Sequence, residues 1–448
     1  MTFEEALAAW LPGQRWFAGK GTPITGLAVT ADTTLVTGDP GLRHLVLAVD
    51  QGSGTDSYQV FAGTRAQLPG WLEHARIGPA SEGVTAYDGL HDPELTRVLL
   101  AAMAADDAVG PLCFARVPGS RIDTGLDSLV LTTEQSNTSV LFGEEAILKV
   151  FRRPSPGPNP DLELPVALAR LGSRHVAEPL GWIATTATGE PTVLAVLSTY
   201  LRAAVDGWSL AATSVRDLYA SGNPRAAEAG GDFAGEARRL GEATAEVHRD
   251  LALAFGVEEL PAAAALRDLS AQMSGRLADA VRAVPELATH EAKLRTVFGE
   301  VATLDGPLEV QRIHGDYHLG QAMRTHSGWV LLDFEGEPTV PLAERRARFP
   351  ALRDLAGMMR SLDYAARFQL AGHEDAEQVA AAARDWVERN QAAFCAGYAA
   401  AGGADPEKHA VLVRALTLDK AVYEVVYEAR HRPSWVSIPL GSIADAPS

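Results

Sequence analysis

At 448 residues the chain is longer than one ordinary hydrophobic core and predicts two or three domains. Its 47% hydrophobic and 21% charged residues exclude a disordered chain, and a net charge of -18 without any long basic run argues against nucleic acid or an anionic membrane as partner. Cys113 and Cys395 form neither a disulfide framework nor a metal spacing; with an acidic start and no apolar run of membrane length, they predict a cytoplasmic protein without a membrane span.

The chain opens with an amphipathic segment from Phe3 to Trp10, broken at Pro12-Gly13 and followed by Gln14-Arg15-Trp16-Phe17-Ala18-Gly19-Lys20. Short alternating runs at 45–49 and 58–61 predict a small β-rich cap closed by helices. Trp16 is expected to anchor this cap to the next domain and Lys20 to be solvated; the other reading of Arg15, Trp16 and Lys20 is an anion or partner site. Asp92 can cap a helix that has Pro93 at its first position.

From about residue 125 the pattern becomes that of a nucleotide-covering sheet: strand-like runs at 129–135, 140–143 and 146–151, the last carrying Lys149. Pro154, Pro156, Pro158 and Pro160 forbid regular structure up to Asp161, which is expected to cap a helix bearing Glu163. A strand at 193–197 leads into a hinge at 198–201. Beyond Trp208 the chain is Ala-rich and helical, interrupted only at 311–338. These shifts divide the chain into 1–110, 111–202 and 203–448.

The interruption reads Gln311-Arg312-Ile313-His314-Gly315-Asp316-Tyr317-His318-Leu319-Gly320-Gln321 and then Asp333-Phe334-Glu335-Gly336-Glu337-Pro338. Phosphoryl transfer needs a carboxylate at the acceptor hydroxyl, oxygen ligands for Mg²⁺ and a cation for the donor phosphates. Asp316 stands where the base belongs. Gln321 takes the place of the usual metal-binding Asn, and Asp333 opens the metal loop at the end of a buried run, 329–332. Lys149 is the candidate phosphate cation and Glu163 its candidate partner, although a Lys and a Glu at this separation also suit an ordinary surface. His314 is expected to brace the loop and His318 to brace it or line the pocket. Glu335 is either a further ligand or a turn residue.

The chain resembles the maltokinases, bacterial enzymes related to aminoglycoside phosphotransferases and more remotely to protein kinases. The resemblance rests on residues 14–20, on Glu134-Gln135-Ser136-Asn137-Thr138-Ser139, on 147–153, on the two loops above, on Leu352-Arg353-Asp354-Leu355-Ala356-Gly357-Met358, and on 419–439. It implies an α+β, bilobal protein-kinase-like fold with an additional N-terminal β-rich cap and a mostly helical C-terminal lobe. The implied reaction is ATP- and Mg²⁺-dependent phosphorylation of maltose at its anomeric hydroxyl, for α-glucan synthesis and in some cases beside a trehalose synthase partner. Ser136, Asn137, Thr138 and Ser139 would then cover the phosphates in place of a Gly-rich loop, and Asp354 would bond back to the catalytic loop. Tyr317 stands where Leu is more usual, and the hinge lacks an expected Gln-Glu pair.

The acceptor pocket is sought at 419–430, where Tyr423 and Tyr427 share one helix face, as do Glu424 and Glu428. Flat aromatic faces and carboxylates suit a sugar, so His318, Tyr423, Glu424, Tyr427, Glu428, Arg430 and Trp435 are the candidate acceptor residues. The same spacing also fits an amphipathic helix with a core tyrosine stripe. Three alternatives to a maltose kinase stay open: a kinase of glucosamine giving the 6-phosphate, a kinase of an aminoglycoside, and a scaffold that binds nucleotide or sugar without turnover.

Overall fold

The computed structural model describes residues 1–52, 54–131, 136–337, 340–371 and 376–446. Glu134, Gln135 and Pro338, quoted above in the motifs, lie outside the described residues. The chain forms two compact units, residues 1–166 with 177–202 and residues 167–176 with 203–448. Among the described residues no helix is long and apolar enough to cross a membrane.

The first unit begins with α1 (Phe3–Trp10), closed at its N-terminus by reciprocal bonds between Thr2 and Glu5. The strands β1 (Gly26–Val36), β2 (Gly41–Asp50), β3 (Thr55–Arg65), β4 (Arg76–Ser81) and β5 (Val84–Asp88) build an antiparallel sheet in the order β1-β2-β3-β5-β4. The two faces of this sheet serve different interiors, because side chains alternate along a strand. Leu45, Leu47, Val49, Tyr58 and Val60 pack with α1, Trp16 and Phe17. Leu42 and Phe61, on the opposite face, join a core that includes Phe114, Phe142, Leu148 and Leu197.

Helix α2 (Pro93–Ala104) follows, with Asp92 accepting from the Glu94 N–H as the sequence predicts. A second antiparallel sheet contains β6 (Ala108–Val109), β7 (Leu112–Arg116), β8 (Ser128–Leu131), β9 (Thr138–Phe142), β10 (Ala146–Val150), β11 (Pro179–Thr185) and β12 (Thr192–Thr199). Its order is β6-β7-β11-β12-β10-β9-β8, which puts the strand carrying Lys149 between β12 and β9. Helix α3 (Pro160–Arg170) starts two residues earlier than predicted: Asn159 accepts from the Asp161 N–H, so Asp161 lies in the first turn and not at the cap.

The second unit is mostly helical. It contains β13 (Val205–Asp206), α4 (Gly207–Ser221), α5 (Ala234–Phe255), β14 (Glu258–Leu260), α6 (Ala262–Ala283), α7 (Glu291–Val301), β15 (Leu308–Val310), β16 (Ala322–Thr325) and β17 (Gly328–Leu331). After these come α8 (Leu342–Arg345), α9 (Leu352–Ala371), α10 (Ala376–Ala400), α11 (Ala410–His431) and α12 (Ser437–Asp445). The hairpin β16–β17, flanked by β13, holds the two chemically rich loops at its ends: 311–321 enters β16 and 332–337 leaves β17.

Candidate active site

In the first unit, antiparallel register places Lys149 directly opposite Ser139, within the strand that Ser136 and Asn137 lead into. Asn137, Thr138 and Ser139, at the entry to β9, are buried. Lys149 Nζ donates to Asp161 Oδ2 at 2.9 Å, with both side chains largely buried. The sequence reading names Glu163 as this partner, and Glu163 shares the first turn of α3 with Asp161. Because α3 begins at Pro160, Asp161 falls in its first turn and supplies the carboxylate at this bond.

In the second unit, loop 311–321 is clamped from behind by Asp354 on α9. This buried carboxylate accepts the backbone N–H of His314 at 2.8 Å and of Gly315 at 3.0 Å, and it contacts His248 Nε2 at 2.9 Å. Burial alone would raise the Asp354 pKa; the bond from His248 and the charges around it outweigh that and hold it below the usual value. Asp354 therefore does what the sequence reading expected. Gly357 lies one turn further along α9 and allows the helix backbone to reach the Tyr317 carbonyl.

His314 is buried, and its Nε2 donates to the Leu332 carbonyl at 2.8 Å while its ring packs on Phe334. It ties one loop to the other. The Tyr317 hydroxyl meets Thr244 at 2.8 Å; Thr244 itself donates to Leu240, so the tyrosine is the donor. Tyr317 is thus a buried strut of the loop. His318 Nδ1 accepts from the Gly320 N–H at 3.1 Å, and burial lowers its pKa, leaving a neutral ring with a proton on Nε2.

Asp316 is partly exposed, with a side chain 20% accessible. Lys420 Nζ on α11 lies 3.4 Å from Asp316 Oδ1 and 3.1 Å from Glu337 Oε2, and the Tyr423 hydroxyl donates to Glu337 Oε1 at 2.5 Å. The Lys420 ammonium also stands 4.6 Å from the Tyr423 ring centre. Burial opposes its charge, but Asp316, Glu337 and Glu424 together raise its pKa and keep it protonated. Sequence reasoning singled out neither Lys420 nor Glu337, which meet across 83 positions of chain.

Asp333 follows β17 with φ of +63°, the left-handed region that non-glycine residues avoid. It is held there by Gln321, whose Nε2 donates to Asp333 Oδ2 at 2.9 Å, and by Leu332 N–H donating to the Gln321 carbonyl at 2.9 Å. A carboxylate and an amide are therefore side by side, as the sequence spacing requires. Among the described residues no group of three or more His, Cys, Asp or Glu side chains forms a metal cage. This donor set fits Mg²⁺, which takes one or two protein oxygens and keeps water and phosphate oxygens for the rest. Glu335 lies in the turn, 3.8 Å from Arg345.

Of the predicted acceptor residues, Tyr423 and Tyr427 stack on one face of α11, with centroids 6.1 Å apart. Glu424 binds Arg360 at 2.7 Å and its charge also acts on Lys420, while Glu428, buried, binds Arg432 and the Tyr364 hydroxyl. Trp435 packs on Phe368, with the Arg432 guanidinium 4.1 Å from its ring centre, and Arg430 is exposed in the last turn of α11.

Residues 10–92 match the family described as the maltokinase N-terminal cap domain. The chain is 32% identical over 368 residues to a glucosamine kinase of Streptacidiphilus jiangxiensis, covering 78% of this chain and 80% of that one. It is 31% identical over 330 residues to a glucosamine kinase of Mycolicibacterium smegmatis, covering 69% of this chain and 77% of that one. The solved structure of a glucosamine kinase in complex with glucosamine, ADP and inorganic phosphate superposes with a TM-score of 0.69 at 26% identity, covering 99% of this chain and 98% of that one.

Proposed function

The chain belongs to the sugar kinases that include the glucosamine kinases and share the maltokinase cap, and from that premise we propose that it transfers the terminal phosphoryl group of ATP to glucosamine, giving the 6-phosphate. The sequence reading put maltose first. The observation that carries the change is Glu337 beside Asp316, two carboxylates that meet on the Lys420 ammonium. Such a site favours a cationic amino sugar, whereas a neutral disaccharide gains nothing from the extra charge. Tyr423 and Tyr427 would supply the flat apolar face. The maltokinase-type cap is what supports maltose as the second reading.

In this proposal Asp316 orients the acceptor hydroxyl and takes its proton as the phosphoryl group arrives. Lys420 and Glu337 fix the approach of the sugar, and Lys149 neutralises the donor phosphates beside Ser136, Asn137, Thr138 and Ser139. Asp333 and Gln321 would hold Mg²⁺, which when bound neutralises charge on the donor phosphates. A non-catalytic scaffold is disfavoured by the presence of the whole set.

The test is phosphorus NMR of the products after incubation with Mg-ATP and, separately, glucosamine, maltose, glucose and an aminoglycoside. A 6-phosphate signal with glucosamine alone is expected. An anomeric phosphate with maltose alone would return the acceptor to the disaccharide and leave the catalytic residues as assigned.

A further inference from the structure

Arg152 follows β10, three residues beyond Lys149, and is completely buried. Its Nε donates to Thr138 Oγ1 at 2.8 Å, and its Nη2 meets Asp88 Oδ2, itself buried, at 2.5 Å. The guanidinium lies 4.6 Å from the centre of the Trp16 ring. One side chain thus joins three stretches: the turn of the cap that holds Trp16, the end of the cap sheet, and the first residue of β9. Thr138 directly follows Ser136 and Asn137.

A second connection runs in parallel. Gln59 on β3 donates its amide N–H groups to the carbonyls of Phe151 and Leu194, each at 2.7 Å, and its backbone N–H to the Arg152 carbonyl at 3.0 Å. His44 holds the other end of that amide at 2.9 Å. Two of these bonds, to Phe151 and Arg152, reach the residues just after Lys149, and the one to Leu194 reaches the neighbouring strand β12.

Packing alone does not require an arginine here. A buried ion pair is a costly way to join two sheets that already share an apolar core, and replacing such pairs by apolar side chains is often neutral for stability. What the guanidinium adds is direction: two bonds at a fixed angle, one to the cap and one to the phosphate-covering loop. We propose that Arg152 is a positioning residue for the nucleotide, through which Asp88 and Trp16 of the cap hold Thr138 and the 136–139 loop in register with Lys149. The inference rests on the assignment of that loop and Lys149 to the donor phosphates.

The experiment uses the full chain and compares Arg152→Lys, Asp88→Asn, Thr138→Val and Lys149→Met by affinity for a fluorescent ADP analogue, separate KM values for ATP and acceptor, kcat and melting temperature. Arg152→Lys keeps the charge but cannot make both bonds, and is expected to weaken nucleotide binding about five- to tenfold, the scale of one ordinary hydrogen bond, with the acceptor KM unchanged. Thr138→Val removes one bond only and carries the same test if the other variants fail to fold. Weakened nucleotide binding in Lys149→Met but wild-type binding in Arg152→Lys and Thr138→Val, whatever their melting temperatures, overturns the inference and makes Arg152 purely structural. Wild-type binding in Lys149→Met overturns the phosphate-site reading beneath it.

Discussion

A Cβ on Gly357 would lie 2.6 Å from the carbonyl oxygen of Tyr317, so α9 can support the loop 311–321 only because this position has no side chain. The obstruction is backbone and cannot swing aside. Gly357→Ala is expected to destabilise the protein by about 1–3 kcal/mol, the usual cost of overpacking, and to reduce kcat through displacement of Asp316. Chemical denaturation and ADP release measured on the same sample check both effects.

Asp316→Asn removes the proposed proton acceptor while retaining shape. Turnover should fall by about 10²–10⁴-fold, the usual contribution of a general base, with nucleotide affinity close to wild type. A fall of less than threefold would remove Asp316 from the role assigned to it.

Glu337→Gln takes away the charge that Lys420 and Tyr423 share. The expected result is a glucosamine KM raised roughly tenfold, the order of one charge-assisted contact, with the ATP KM unchanged. Steady-state kinetics with each substrate varied in turn separate this from general damage, which would move both constants.

The buried His44 gives a pH dependence with a definite sign. Burial lowers its pKa from 6.5 to about 4, against a smaller opposing bond from Gln59. The unfolded chain therefore binds a proton more readily than the folded one. This contribution to stability is complete above pH 6.5 and is lost as pH falls towards about 4, at up to about 1.4 kcal/mol per pH unit. Thermal melts across that window should show a shallower acid slope for His44→Gln than for wild type.

The parts of the site that were legible in the sequence are those set by local chemistry. Asp92 before Pro93, the buried run into Asp333, and Asp354 in the first turn of a helix after Pro350 each follow from spacing within one segment. What escaped depends on pairs distant in the chain. Lys420 is an unremarkable helix lysine until the fold brings Glu337 to 3.1 Å, and the partners of Glu424 and Glu428, Arg360 and Tyr364, each lie 64 positions away in the chain. The helix cap falls at Asn159, two residues before the expected Asp161, which leaves the Asp161 carboxylate to meet Lys149. Helical periodicity identifies a face; it does not identify which charges that face meets.

Strands β2 and β3 have consequences for how the gene can tolerate change. Their alternate residues belong to two separate interiors, with Leu45 and Val60 on one side and His44 and Phe61 on the other. A one-residue insertion in β3 would transpose the two sets, pushing Gln59 into the apolar contact around Trp16 and Phe17 and stranding Tyr58 among the carbonyls after Lys149. A point substitution in this strand disturbs one interior at one place, whereas a change of length disturbs both along its whole course, so natural length variation in the cap should be confined to its turns.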